Sequence, residues 1–283
     1  MPPSTVRANG LRFAYLEEGS GPLVLLVHGF PDTPHTWDHV RPALARAGYR
    51  AVTPFTRGYA PTEIPREERY DSDTLGGDIA ALVEALGEKD AVVVGHDWGA
   101  AAAYSAAALR PDRVRALVTV AIAHPAAVVP TPRVLWSVRH FFYLARRGAA
   151  ARLRQNDFAY VDELVRRWSP AWDVPPGETD AVKEVFRQPG ALDAALGYYR
   201  ALRPWMPPGH KTTIRVPTVA FVGETDILDR AAFERARSRF TGPYEIVSMP
   251  GGHFLHREHP ERFVRELLGA LERLARARPA AGG

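Results

Sequence analysis

Short runs of apolar residues punctuate the chain, separated by stretches with helical spacing. Near the start, two apolar-alternating runs flank Asn9-Gly10, a strong short-range signal for a tight hairpin. Residues 23–27, Leu-Val-Leu-Leu-Val, then form a run without polar alternation after the turn Gly19-Ser20-Gly21-Pro22. Such a run predicts a strand buried on both faces, as in a parallel sheet. Similar runs recur at 49–52, 91–94, 114–120, 216–222 and 244–248. Helix-period segments lie at 38–47, 74–86, 100–109, 230–240 and 260–274. This alternation predicts an α/β fold with a mostly parallel sheet.

The alternation breaks off after Val120 and resumes near Val216. The stretch between is rich in Arg, Pro and aromatics. Pro170, Pro175, Pro176, Pro189, Pro207 and Pro208 cut it into short helices. Because two further strand–helix units follow, residues 128–212 read as a helical insertion, with 1–127 and 213–283 forming one core. Residues 277–283 read as a disordered tail.

Composition narrows the chemistry. The chain has no cysteine, which excludes disulfides, thiol nucleophiles and thiolate metal sites. Lys and Arg number 36 against 32 Asp and Glu, and the arginines are scattered among acids, as in Pro65-Arg66-Glu67-Glu68-Arg69. That pattern predicts a solvated surface and no nucleic-acid partner. No run approaches the ~18 apolar residues of a membrane span, so no membrane partner is expected. Residues 1–10 lack the features of a signal peptide, and a cytoplasmic setting is expected.

Gly95-His96-Asp97-Trp98-Gly99 joins an apolar run to an Ala-rich helix. Glycines at both ends of such a turn allow a sharp elbow that pushes the central side chain outward, toward the positive end of the helix dipole. A plain N-cap is the simpler role for this Asp. Its chemistry follows from its charge: with a reference pKa of ~3.9 it is ionised at neutral pH and attacks without a base. Attack on an ester would give an easily reversed anhydride. Attack on an sp³ carbon bearing a leaving group gives a stable ester. Clearing that ester requires water, a base and an oxyanion hole, so a two-step hydrolase is expected.

Five motifs then carry a family resemblance: His28-Gly29-Phe30-Pro31-Asp32, Arg57-Gly58-Tyr59, Gly95-His96-Asp97-Trp98-Gly99, Gly223-Glu224-Thr225-Asp226 and Gly252-His253-Phe254. In this order they resemble the α/β-hydrolase superfamily, specifically its epoxide hydrolase and dehalogenase branch, over nearly the whole chain. The resemblance implies an α/β-hydrolase fold with 128–212 in the place of a helical lid. It implies the order nucleophile, acid, histidine, matched by Asp97, Asp226 and His253. Residues 119–127 hold no carboxylate that could replace Asp226. The implied oxyanion donors are the backbone N–H groups of Phe30 and Trp98. His253, His256 and His259 with Glu258 invite a metal reading. Pro260 starts a helix and leaves them on a loop, so no metal or other cofactor is expected.

The leaving group decides what the lid must supply. An epoxide leaves as an alkoxide and needs a proton donor, whereas a halide does not. Epoxide hydrolases of this branch use two lid side chains. Tyr199-Arg200 matches one, making Tyr199 the expected donor, and the other position falls on His140, expected to polarise the oxygen. Fluoroacetate dehalogenases carry Arg beside the nucleophile and three residues on, where this chain has Trp98 and Ala101. Haloalkane dehalogenases share the Trp but add a second halide donor, which Trp136, Trp168, Trp172 or Trp205 could supply. The resemblance thus implies hydrolysis of an epoxide to a vicinal diol through an Asp97 ester. The alternatives are a haloalkane or haloacid dehalogenase and a non-catalytic ligand-binding protein on the same fold. Phe30, Pro31, Trp98, Phe141, Tyr143 and Phe254 form the expected pocket, suited to a small hydrophobic epoxide and water. A monomer or homodimer is expected.

Overall fold

The computed structural model describes residues 2–277, and 278–283 of the expected tail lie outside the described residues. Eight strands form one sheet: β1 (Ser4–Ala8), β2 (Leu11–Glu18), β3 (Leu23–Val27), β4 (Arg50–Pro54), β5 (Ala91–His96), β6 (Val114–Val120), β7 (Thr218–Gly223) and β8 (Tyr244–Met249). Their order is β1-β2-β4-β3-β5-β6-β7-β8. Asn9 (φ 44°) and Gly10 (φ 78°) turn β1 back onto β2, with Ala8 opposite Leu11. Two successive left-handed residues are what a two-residue type I′ hairpin requires. β2 meets β4 antiparallel, and every pairing from β3 to β8 is parallel.

The unbroken apolar run of β3 has a direct cause. Leu23, Leu25 and Val27 join the core on one face, with Leu75, Ile79 and Ala102. Val24 and Leu26 join the core on the other, with Trp37, Leu44, Phe263 and Leu267. With helices on both faces, no position along the strand meets water. The Ala-rich helix Trp98–Leu109 is likewise enclosed, buried from Trp98 through Ala107.

Two expected helices are shorter than their periodicity. Of residues 38–47 only Arg41–Arg46 is helical, beginning around Pro42, where a missing N–H costs nothing, and a 3₁₀ turn, Pro34–Trp37, precedes it. Residues 230–240 resolve into Arg230–Arg235 and a tighter 3₁₀ turn, Ala236–Arg239. Between β6 and β7 the described chain is helical, from Pro132–Ser137 and His140–Leu144 to Ala159–Trp168, Asp180–Arg187 and Ala191–Arg200.

Candidate active site

The chemistry-bearing residues sit just past the carboxyl ends of β3, β5, β7 and β8, where an open parallel sheet leaves a crevice. Asp97 occupies the elbow with φ 52° and ψ −122°, a conformation that L side chains rarely adopt. Its neighbours must be small. A Cβ on Gly95 would lie 2.4 Å from the Gly99 carbonyl oxygen, and one on Gly99 would lie 2.3 Å from that of Val27. Asp97 Oδ1 accepts a hydrogen bond of 2.7 Å from the Phe30 N–H. Trp98 opens the helix, so its N–H has no intrahelical partner and completes a pair of donors.

The loop that aims Phe30 is fixed from behind. His28 Nδ1 donates to the Gly29 carbonyl at 2.9 Å and its Nε2 accepts from the Thr56 N–H at 3.1 Å. Burial lowers the His28 pKa to about 4, so it stays neutral and structural. Arg57 anchors the neighbouring loop by a buried two-pronged bond to Asp78, 2.7 Å on each side. That accounts for the Arg57-Gly58-Tyr59 motif as scaffold.

His253 lies between two carboxylates. Its Nδ1 is 3.2 Å from Asp226 Oδ1, and its Nε2 is 3.5 Å from Asp97 Oδ2, a charge contact longer than a good hydrogen bond. Asp226 Oδ1 also accepts from the Ile227 N–H at 2.6 Å, which holds the carboxylate in place. Burial opposes charge on the imidazole. The carboxylates of Asp226 and Asp97 outweigh it and push the His253 pKa up to about 10. The inserted helices also hold this loop: the His253 N–H donates to the Trp168 carbonyl at 2.9 Å, and the Phe254 N–H donates to Ser169 Oγ at 3.1 Å.

The two adjacent tyrosines separate by their hydroxyls. Tyr198 donates to the Arg57 carbonyl at 2.6 Å and is committed to the scaffold. Tyr199 packs edge-on against Phe30, Trp98 and Phe141, with ring centroids 5.1, 5.2 and 5.3 Å away. Burial, then the nearby Asp97 charge, raises its pKa well above the ordinary phenol value, while a hydrogen bond from Trp98 opposes them.

His140 departs from expectation. Its Nδ1 lies 3.1 Å from the Ser137 carbonyl, which can only accept, so Nδ1 carries the proton. Burial lowers its pKa to about 4, so the neutral ring offers only a lone pair at Nε2. The polarising role expected for it would need a second proton, on Nε2.

A cavity of about 800 Å³ opens over Asp97, walled by Trp98, Ala101, Ile122, Val138, Phe141 and Trp168, with His140 and His253 on its lining. Of the six expected pocket residues, only Trp98 and Phe141 lie there. The Phe30 ring stacks on Phe186 in the core, and its backbone alone serves the site. Pro31 is buried outside the lining. Tyr143 packs at a tilt against Tyr160, ring centroids 4.9 Å apart, and Phe254 packs between Trp168 and Trp172. Trp168 was named only as one of four tryptophans that could hold a halide, and Ile122 and Val138 were not anticipated, because Ile122 lies on the loop after β6 and Val138 just past a six-residue helix, where no periodicity marks an inward face.

His253, His256 and His259 do not converge on one point, but Asp32, His96 and His256 do, with facing atoms within 4.8 Å. A metal ion would hold its ligands only about 3.4 Å apart at normal bond lengths. It would also meet the guanidinium of Arg257, 3.2 Å from Asp32 Oδ1. His96 Nε2 donates to the His253 carbonyl at 3.0 Å, so the trio braces the histidine loop from behind.

An eight-stranded sheet in this order, with Asp97, Asp226 and His253 gathered past its strand ends, is the arrangement of an α/β-hydrolase. The sequence model of the α/β hydrolase fold matches residues 22–260, and the chain belongs to that family. Within the family it falls in the epoxide hydrolase branch. It is 32% identical to epoxide hydrolase A of Mycobacterium tuberculosis, over 94% of this chain and 96% of that protein. It is 39% identical to epoxide hydrolase 2 of Siraitia grosvenorii, over 91% and 94%. The crystal structure of an epoxide hydrolase from Vigna radiata superposes with a TM-score of 0.80 at 27% identity, covering 96% of this chain and 98% of that one.

Proposed function

We propose that this hydrolase opens epoxides to vicinal diols, with Asp97 as nucleophile, His253 and Asp226 as its base and orienting acid, and 128–212 as the lid over the core. The observation that carries the reading is the state of Asp97. One oxygen is pinned by the Phe30 N–H, the other faces His253, and Tyr199 stands beside them.

In the first step Asp97 Oδ2 forms a bond to an epoxide carbon, the ring C–O bond breaks, and the ring oxygen takes the Tyr199 proton. Alkylation cancels the Asp97 charge, one of the two carboxylates that hold a proton on His253. That proton passes to the Tyr199 phenolate, which burial makes strongly basic. Neutral His253 then takes a proton from water, and the hydroxide attacks Asp97 Cγ. Oδ1 carries the oxyanion between the Phe30 and Trp98 N–H groups. The ester bond breaks, the diol oxygen leaves with a proton from His253, and ionisation of the restored Asp97 returns it. His140, as an acceptor, takes a hydrogen bond from the new hydroxyl and does not polarise the ring oxygen.

Single turnover of styrene oxide in ¹⁸O-water tests the reading. Label is expected in Asp97, with the first diol unlabelled. Label in that diol would mean direct attack by water. Faster bromide release from a matched bromoalkane than epoxide opening would favour the dehalogenase alternative.

A further inference from the structure

The helices that wall the cavity have a second face. From Pro132–Ser137 and His140–Leu144, Val134, Val138 and Phe141 line the cavity, while Trp136 and Phe142 turn outward and are each 69% exposed. After the helix Ala191–Arg200, Leu202 and Trp205 line the cavity and are also exposed, Trp205 by 66%. Large aromatics bared on the segments that wall a cavity are unusual on a surface that meets only water.

The same segment is strongly basic. Residues 129–155 contain Arg133, Arg139, Arg146, Arg147, Arg152 and Arg154 but no Asp or Glu. Arg133, Arg146 and Arg147 are exposed. Among the described residues only Arg154 of this set approaches a carboxylate, Asp193, at 3.9 Å. Arg139 lies over the Trp136 ring at 4.3 Å, placing charge and aromatic on one patch. Elsewhere the arginines are largely matched by acids, as Arg50 is by Glu17 and Glu88.

We propose that this face of the lid docks on the surface of an anionic lipid bilayer, with Trp136, Phe142 and Trp205 entering the headgroup region and the arginines meeting lipid phosphates. Tryptophans and phenylalanines flanked by arginines suit that interface, where apolar contact and charge attraction add. A second copy fits poorly, because a two-fold pair would set this cationic face against itself. No helix among the described residues is long and apolar enough to cross a membrane, so the chain would lie on the bilayer without spanning it. The expectation of no membrane partner rested on the lack of a span and did not consider this face. The cavity mouth would then open toward the phase in which an apolar substrate concentrates.

The test is sedimentation of the full chain with vesicles of phosphatidylcholine alone or mixed equally with phosphatidylglycerol. Binding is expected to the anionic vesicles, with a blue shift in tryptophan emission and weakening by salt. Arg133→Gln, Arg146→Gln and Arg147→Gln together should lower binding by about 100-fold, at roughly fivefold per arginine. Trp136→Ser with Phe142→Ser should abolish the shift and leave turnover of a water-soluble epoxide unchanged. No binding to anionic vesicles at low salt would overturn the proposal. So would a concentration-dependent dimer that the aromatic substitutions abolish in a protein indifferent to vesicles.

Discussion

Gly29→Ala isolates the position of Asp97, the proposed nucleophile, from the rest of the fold. Gly29 is outside the left-handed region, so its backbone accepts an alanine. The added methyl, however, would lie 2.3 Å from Asp97 Oδ1, 2.5 Å from its Cβ and 2.7 Å from its Cγ. Carbon and oxygen atoms pack no closer than about 3.3–3.5 Å, so the Asp97 side chain must retreat by about 1 Å. That retreat breaks the 2.7 Å bond from the Phe30 N–H and swings Oδ2 from its place beside His253. A misplacement of about 1 Å costs roughly 10² in rate, and loss of an oxyanion donor costs roughly 10²–10³. The expected kcat for styrene oxide is therefore about 10²–10³-fold below the parent, with a cooperative melt retained because the yielding atoms are mostly side chain. Gly99→Ala is the contrast. Its methyl meets the Val27 backbone oxygen at 2.3 Å, which no side-chain motion relieves, and that variant should lose stability as well. A Gly29→Ala enzyme with kcat within threefold of the parent and an unchanged melting temperature would refute the assigned place of Asp97.

His253→Gln should alkylate normally but stall at the ester, so mass spectrometry should find Asp97 heavier by one substrate; an absent adduct in a variant that still binds epoxide would remove His253 from the second step. Tyr199→Phe should slow epoxide opening by about 10²–10⁴, whereas Tyr198→Phe, whose hydroxyl serves the Arg57 carbonyl, should mainly lower the melting temperature; equal kcat losses in both would contradict the assignment. Stability should fall as pH drops from 6.5 toward 4. Over that range the unfolded chain binds protons that buried His28 and His140, with pKa values of about 4, refuse. His253 acts oppositely: its raised pKa of about 10 stabilises the fold fully below 6.5, and that contribution fades as pH rises toward 10. Calorimetry from pH 4 to 10 checks both, and a melting temperature flat below 6.5 would contradict the first.

Local pattern alone determined the sheet, the hairpin and the elbow of this protein. Runs such as 23–27 are apolar throughout because both faces of the strand are covered, and that burial leaves its mark residue by residue. Asn9-Gly10 and Gly95 with Gly99 are equally local, since a turn or an elbow is set by the backbone freedom of its own residues. Which residues face the cavity was decided only by the tertiary structure. Tyr143 and Phe254 point into packing, while Ile122, Val138 and Trp168 form the wall, because loops and short helices take their orientation from what they pack against. The sense of the His140 hydrogen bond was hidden for the same reason: it depends on the Ser137 carbonyl and on burial by neighbours distant in the chain. Residue identity supplied the reactive groups. Their partners and distances came from the way the strand-end loops and the inserted helices pack together.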